Sequence, residues 1–323
     1  MSGATLPAAA IDVTTSIAGV PLASILLNEP EGAPTTVEQV SVFARSALGA
    51  IVTPTLVAGP SPLDRPLVVS TDHVLTSPDT SVVGFDDYAA VLDELAGCGT
   101  PVMVTVGGGS RDELVEVLRL VAGSRVDFVA LDLSRRSTVT SRYHSDRRLV
   151  GLRVDLEVEL LAIARSLVDV PIGIRQPIWL DPQNVRQWAT ALGVARPDFV
   201  TIAPPIAIGM LVDVTGAASL VDGEYGSPAL GRLSGPAVKP INLAEISIAR
   251  AALPAATTIV GTGGARTGTD VLDYLLVGAS AVEIEIEQTA GRLVANVGGV
   301  LEQLAASGAT SATAVIGALD VAW

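Results

Sequence analysis

The chain has 323 residues, 49% of them hydrophobic but only 3% aromatic, with a formal net charge of −14. That acidity excludes non-specific nucleic-acid binding, which needs Lys and Arg to neutralise phosphates, while a core of Val, Ile, Leu and Ala suits a parallel sheet covered on both faces. The mean hydropathy is +0.51, yet no apolar run reaches the roughly 18 residues of a spanning helix, and the single Cys98 excludes an internal disulfide.

The first ten residues lack a signal-peptide pattern, and with only His73 and His144 no multi-histidine metal centre is expected. The expectation is a soluble, cytoplasmic protein with no metal, acting on a small molecule. In chain order, strand-like runs at 24–28, 50–53, 101–106, 126–132, 171–175, 198–203, 257–261 and 280–286 alternate with helix-period segments. Those segments fall at 36–48, 85–96, 111–121, 156–167, 182–192, 242–253, 269–276 and 289–306. Ser110 and Glu113 have capping-box spacing before the third helix. Eight β-then-α alternations predict a closed (β/α)8 barrel as a single domain over residues 1–323. A doubly wound open sheet is the alternative, but no Gly-x-Gly-x-x-Gly turn follows the first strand. Long connections at 54–84 and 204–240 leave strand carboxyl ends, where barrel sites are built, and a third at 134–154 carries a crowd of arginines.

Four motifs carry a resemblance. They are the opening Ile11-Asp12-Val13-Thr14-Thr15-Ser16-Ile17-Ala18-Gly19-Val20, Leu131-Asp132-Leu133-Ser134, the glycine-rich crossing at 227–240 and Gly261-Thr262-Gly263-Gly264 with Leu276-Val277-Gly278-Ala279. Over residues 11–291 the chain resembles the dihydroorotate dehydrogenases, FMN-containing barrels that oxidise dihydroorotate to orotate. The resemblance implies an FMN phosphate cradle at Ser234, Gly235, Thr262, Gly263 and Gly264, and puts Arg175 where the family has a lysine beside the flavin.

Several positions depart from the family pattern. Asn28-Glu29-Pro30 stands in place of a flavin-contacting Ala-Ser-Gly, and Pro54 in place of a flavin-contacting lysine. Arg135, which cannot take up a proton at neutral pH, replaces the family's base, and Asp132 replaces an asparagine. Thr76 and Pro204 stand for substrate-gripping asparagines. Glu285-Ile286 replaces the Gly-Thr that holds the phosphate; a carboxylate about 4 Å from that phosphate would cost about 4 kcal/mol at an effective dielectric of 20. FMN is therefore disfavoured by Glu29, Pro54 and Glu285.

The catalytic candidates are Asp132, Arg175 and Glu285 as charged pocket groups, with Ser134 and Arg135 on the loop after the fourth strand. The strict alternation of Glu283, Glu285 and Glu287 puts all three carboxylates on one face of the last strand, with one of them expected to pair with Arg175, Arg232 or Arg266. These residues imply a small-molecule ligand at the barrel mouth and a repurposed enzyme. An FMN-dependent oxidoreductase on another substrate and a noncatalytic subunit remain alternatives, the chain acting as a homo-oligomer or beside a paralogue.

Overall fold

A computed structural model of the chain describes residues 11–60, 67–69, 73–76, 82–108, 110–134, 154–202, 206–213, 218–219, 231–289, 292–294 and 297–320. Eight parallel strands form the barrel: β1 (Leu26–Asn28), β2 (Ile51–Val57), β3 (Val102–Val106), β4 (Phe128–Asp132), β5 (Ile172–Gln176), β6 (Phe199–Ile202), β7 (Thr258–Gly261) and β8 (Ala281–Ile284). They pair in the order β1-β8-β7-β6-β5-β4-β3-β2, and Val82–Gly84 adds a ninth parallel strand against β2. The seam between β2 and β1 is closed by a Leu27–Ala50 bridge. The Asn28 side-chain amide supports it by donating to the Val52 carbonyl at 2.7 Å and accepting from the Val52 N–H at 2.9 Å. A side chain thus supplies a rung that the short β1 backbone does not reach.

Around the sheet lie α1 (Val37–Ala44), α2 (Phe85–Leu95), α3 (Arg111–Ala122), α4 (Val154–Arg165), α5 (Pro182–Ala195), α6 (Lys239–Ala252), α7 (Gly268–Leu276) and α8 (Val297–Ser307). Local chemistry starts several of them. Ser110 caps α3 through the Glu113 N–H at 3.1 Å, and Asp181 caps α5 through Asn184 with Pro182 at the first helical position. Thr267 and Asp270 form a reciprocal box at the start of α7.

The core has two shells. Leu27, Val52, Met103, Phe128, Ala130, Phe199, Val260 and Ala281 fill the barrel, and Ile17 and Leu22 of the N-terminal hairpin join them. The rings of Phe128 and Phe199 meet edge to face, 5.9 Å apart, and Gly173 on β5 leaves the room that Phe199 takes, since a Cβ there would lie 2.3 Å from the ring. The second shell packs the helices onto the outer sheet face through residues such as Val104, Leu118, Leu161, Trp188 and Leu275. At the strand starts a local repeat recurs: Arg125-Val126-Asp127-Phe128-Val129 and Arg196-Pro197-Asp198-Phe199-Val200. Each aspartate accepts the first N–H of a neighbouring strand, Val102 at 2.7 Å and Ile172 at 2.8 Å.

The structure corrects three expectations. β2 does not stop at Thr53 but runs through Pro54 to Val57. A register shift between Val52 and Thr55 absorbs the missing proline N–H, and the Thr53 hydroxyl accepts the Thr105 N–H at 3.1 Å. The last helix begins at Val297 rather than at 289, because Glu287–Thr289 and Arg292–Val294 form an antiparallel hairpin before it. The connections at 54–84 and 204–240 are not plain loops. Strands Leu67–Val69, Val74–Thr76, Gly231–Ser234 and Ile206–Gly209 from the two connections join into one antiparallel sheet, here termed the mouth sheet. The arginine-rich segment from Arg135 to Arg153, with His144, lies outside the described residues, as does Pro204.

Candidate active site

The barrel mouth is built from strand ends. Register pairs Arg175 of β5 with Asp132 of β4 on one side and with Thr201 of β6 on the other. Glu283 of β8 pairs with Leu27 of β1, a residue of the barrel interior. Residues paired in a parallel sheet share a face, so Asp132, Arg175 and Glu283 all turn inward. There Arg175 and Glu283 form a two-pronged ion pair, Nη1–Oε1 at 2.5 Å and Nη2–Oε2 at 3.0 Å, with side chains 5% and 0% exposed. Burial alone would weaken the charge on Arg175, but the Glu283 carboxylate, with Asp132 beyond it, more than reverses that and holds the guanidinium charged.

A second polar chain runs beside this pair. Asp132 accepts from the Thr55 hydroxyl at 2.8 Å through one oxygen. Its other oxygen accepts from the Ser134 hydroxyl at 2.5 Å and the Ser134 N–H at 3.1 Å. Arg232, on the mouth sheet, donates to the Ser134 oxygen at 3.1 Å. Asp132, Ser134 and Arg232 are all buried. Thr55 enters this network because β2 continues beyond Pro54, and Arg232 because the crossing segment folds over the mouth. Neither role is legible from strand patterning alone.

Glu29, directly after β1, keeps a partly accessible surface, yet its backbone is pinned by a bond from its N–H to the Ile284 carbonyl at 3.1 Å. Burial, followed by the charges of Glu31, Glu283 and Glu285, pushes its carboxyl well above the ordinary range, with Arg175 opposing in part.

The glutamate ladder of β8 divides. Strand β8 ends at Ile284, so only Glu283 keeps the inward strand position. Glu285 is exposed at the rim, its side chain 40% accessible, and pairs with Arg266. Its N–H donates to the Ala265 carbonyl at 3.1 Å. Glu285 thus pairs with Arg266 at the rim, while Asp132 and Arg175 lie buried at the strand ends. Among the described residues no three His, Cys, Asp or Glu side chains converge on one point.

The candidate phosphate residues do come together. Gly264, at φ +73°, packs so closely on the crossing segment that a Cβ would fall 2.4 Å from the Gly235 carbonyl oxygen. Ser234 lies next to Gly235 and bonds weakly to the Val74 carbonyl at 3.5 Å. Thr262 is buried, and its carbonyl is held by Asn242 at 2.8 Å and by the Tyr274 hydroxyl at 2.9 Å. The same hydroxyl reaches the Gly263 carbonyl at 2.6 Å. With these carbonyls tied back toward α6 and α7, the turn has a fixed orientation. Arg135, the remaining candidate, lies outside the described residues.

Residues 35–297 match the sequence profile of the family described as dihydroorotate dehydrogenase. Among curated proteins, the chain is 30% identical over 204 residues to the catalytic subunit of dihydroorotate dehydrogenase B (NAD(+)) from Anoxybacillus flavithermus, covering 61% of this chain and 60% of that protein. It is 23% identical over 258 residues to dihydroorotate dehydrogenase (fumarate) from Kluyveromyces lactis, covering 78% and 79%. The chain thus spans about 60% of the length of the first curated relatives. A crystal structure of DHODH from Eimeria tenella in complex with ferulenol superposes with a TM-score of 0.72 at 15% identity, covering 95% of this chain and 88% of that one. No helix among the described residues is long and apolar enough to cross a membrane.

Proposed function

The chain belongs to the dihydroorotate dehydrogenase family, and from that premise we propose that it is a repurposed small-molecule enzyme that no longer oxidises dihydroorotate. The observation that carries this reading is the Thr55–Asp132–Ser134–Arg232 chain set beside the Arg175–Glu283 pair. This is a charged, internally paired mouth suited to moving protons on a polar ligand. Asp132 orients the Ser134 hydroxyl and is the natural acceptor of its proton, while Arg232 lies against the same oxygen and would stabilise developing negative charge there. Arg175 and Glu283 form a buried, net-neutral ion pair at the same mouth.

The family's cofactor, FMN, would set its phosphate at the glycine turns beside Glu285. At the phosphate end the Glu285 N–H is spent on the Ala265 carbonyl, and the rim carries the Glu285 carboxylate rather than a hydroxyl. That donor set does not suit a dianionic phosphate, so no step of the proposed chemistry passes through FMN. Freshly purified protein is expected to show no flavin absorbance, to take up no added FMN by calorimetry, and to leave dihydroorotate unoxidised with fumarate or NAD+ as acceptor. A bound flavin together with dihydroorotate turnover would overturn the proposal.

One observation favours a second reading, an FMN-dependent oxidoreductase on a different small heterocyclic or acidic substrate: Ser234, Gly235, Thr262, Gly263 and Gly264 still gather at one place. A flavin spectrum without dihydroorotate turnover would select it.

A further inference from the structure

Strand β4 ends in Asp132, and Ser134 follows two residues later. The Ser134 hydroxyl donates to the Asp132 carboxylate at 2.5 Å and accepts from Arg232 at 3.1 Å. A hydroxyl has one proton and two lone pairs, so one lone pair of this oxygen carries no hydrogen bond among the described residues. Asp132 is held in turn. Thr55 donates to its second oxygen at 2.8 Å, and the Ser134 N–H donates to the first at 3.1 Å. Such bonds favour the ionised carboxylate, the form that takes up a proton. A hydroxyl bonded to a base that a third group orients is the arrangement of an activated nucleophile. Thr55 lies 77 residues from Asp132 in the chain, and Arg232 lies 98 residues from Ser134. Their convergence is therefore tertiary, beyond the local bonding of a turn.

A second observation comes from β3. Met103 fills the barrel interior, so Thr105, two residues on, faces inward as well. Register sets it between the strands of Thr55 and Asp132, paired with Thr55 on β2 and with Ala130 on β4. Thr105 is fully buried, and its hydroxyl oxygen has no hydrogen-bond partner among the described residues. A buried hydroxyl in that state destabilises a fold. Here it is a donor that the chain leaves unused beside the Thr55–Asp132 bond.

Resting on the reading of this mouth as that of a repurposed enzyme, we propose that Ser134 is a nucleophile, activated by Asp132, that transfers the acyl group of a small activated ester to water. The Ser134 oxygen forms a bond to the acyl carbon while its proton passes to Asp132. The Arg232 guanidinium and the Thr105 hydroxyl stabilise the negative oxygen of the tetrahedral adduct. The adduct then breaks its bond to the leaving group, which takes the proton from Asp132. Water attacks the acyl-serine and gives a proton to Asp132; the carboxylic acid departs, and Ser134 recovers its proton from Asp132. The base sets the substrate class. A carboxylate is a weaker base than the imidazole of a serine–histidine pair, so attack succeeds only on an activated acyl carbon. Aryl esters and thioesters meet that condition, and ordinary amides do not.

The test uses p-nitrophenyl acetate with the full chain. A burst of p-nitrophenolate is expected, and peptide mass spectrometry is expected to find the acetyl group on Ser134. Ser134→Ala, checked for folding by circular dichroism, is expected to lose the burst, and Asp132→Asn to slow it on the order of a hundredfold. Should either variant not fold, Thr105→Val decides. It is expected to slow the burst without lowering the melting temperature, because it removes a hydroxyl that the fold itself leaves unpaired. A purely structural role would move the melting temperature and not the burst. No burst in the wild-type chain, acetyl groups on other residues only, an undiminished burst in Ser134→Ala or Asp132→Asn, or an unchanged one in Thr105→Val would overturn the proposal. A flavin-bearing chain that oxidises dihydroorotate would instead sink the reading on which it rests.

Discussion

A charge removed from water costs several kcal/mol unless a partner is in place, so the Arg175–Glu283 pair is stable only as a pair. Removing either partner, as in Arg175→Ala or Glu283→Ala, strands the other inside the barrel and is expected to cost about 3–5 kcal/mol. The joint replacement Arg175→Met with Glu283→Leu is expected to recover most of that loss, because two apolar side chains of similar volume leave no unpaired charge. Urea unfolding of the three variants measures this directly, and a joint variant as unstable as the singles would contradict it. At this scale the sequence was partly legible. Asp132, Arg175 and Ser134 are marked by the strand-end motifs, and the pairing of a β8 glutamate with an arginine follows from the cost of burial. Which glutamate meets which arginine was not legible, because alternation fixes the side of a strand and not where the strand ends. Glu283 meets Arg175 and Glu285 meets Arg266 since β8 stops at Ile284.

Helix α4 carries its apolar stripe at Leu160, Leu161 and Ala164, and Glu157 occupies the same stripe one turn earlier, fully buried. One of its oxygens accepts from the Trp188 indole at 2.8 Å, and the other has no partner among the described residues. Burial raises this carboxyl to about 8 from 4.5, with Trp188 opposing and Asp155 adding to the rise. The folded state therefore holds the proton more tightly than the unfolded chain. Stability from this group is fully present below about 4.5 and is lost as pH climbs toward about 8, by at most about 1.4 kcal/mol per pH unit. Glu157→Gln is expected to flatten that slope and raise the melting temperature at pH 8 relative to the native chain; identical pH profiles from thermal melts would refute the assignment. The eight barrel strands and eight helices were legible, since they follow from apolar periodicity and capping residues; the mouth-sheet strands and the hairpin before α8 were not. Element ends were less so. Pro54 signals a stop to β2 that a register shift and the Thr53 hydroxyl override, and the hairpin before α8 occupies a stretch whose composition suits a helix.

At the scale of the whole molecule, the mouth sheet rests on the barrel through the contact between Gly264 and Gly235. Gly264→Ala adds a Cβ 2.4 Å from the Gly235 carbonyl oxygen at a backbone angle of φ +73°. It is expected to lower stability by more than about 1 kcal/mol and to loosen the crossing segment. Gly19→Ala, at φ +83° with nothing within 4 Å of the added Cβ, carries the conformational cost without the collision and should destabilise less. Thermal melts of the two variants, ordered the other way, would count against the contact as the tie between sheet and barrel.

The sequence by itself determined the barrel, because a parallel sheet buried on both faces leaves its mark in short Val- and Ile-rich runs separated by amphipathic helices, and that mark is local. It also determined the family, through the glycine turns and strand-end motifs. Only the tertiary structure decided the mouth. Its sheet joins strands from connections far apart in the chain, its ion pair reaches across the barrel from β5 to β8, and Arg232 reaches the Ser134 oxygen from the mouth sheet. Each is a long-range contact between charged or irregular segments, and no periodicity along the chain records such a contact.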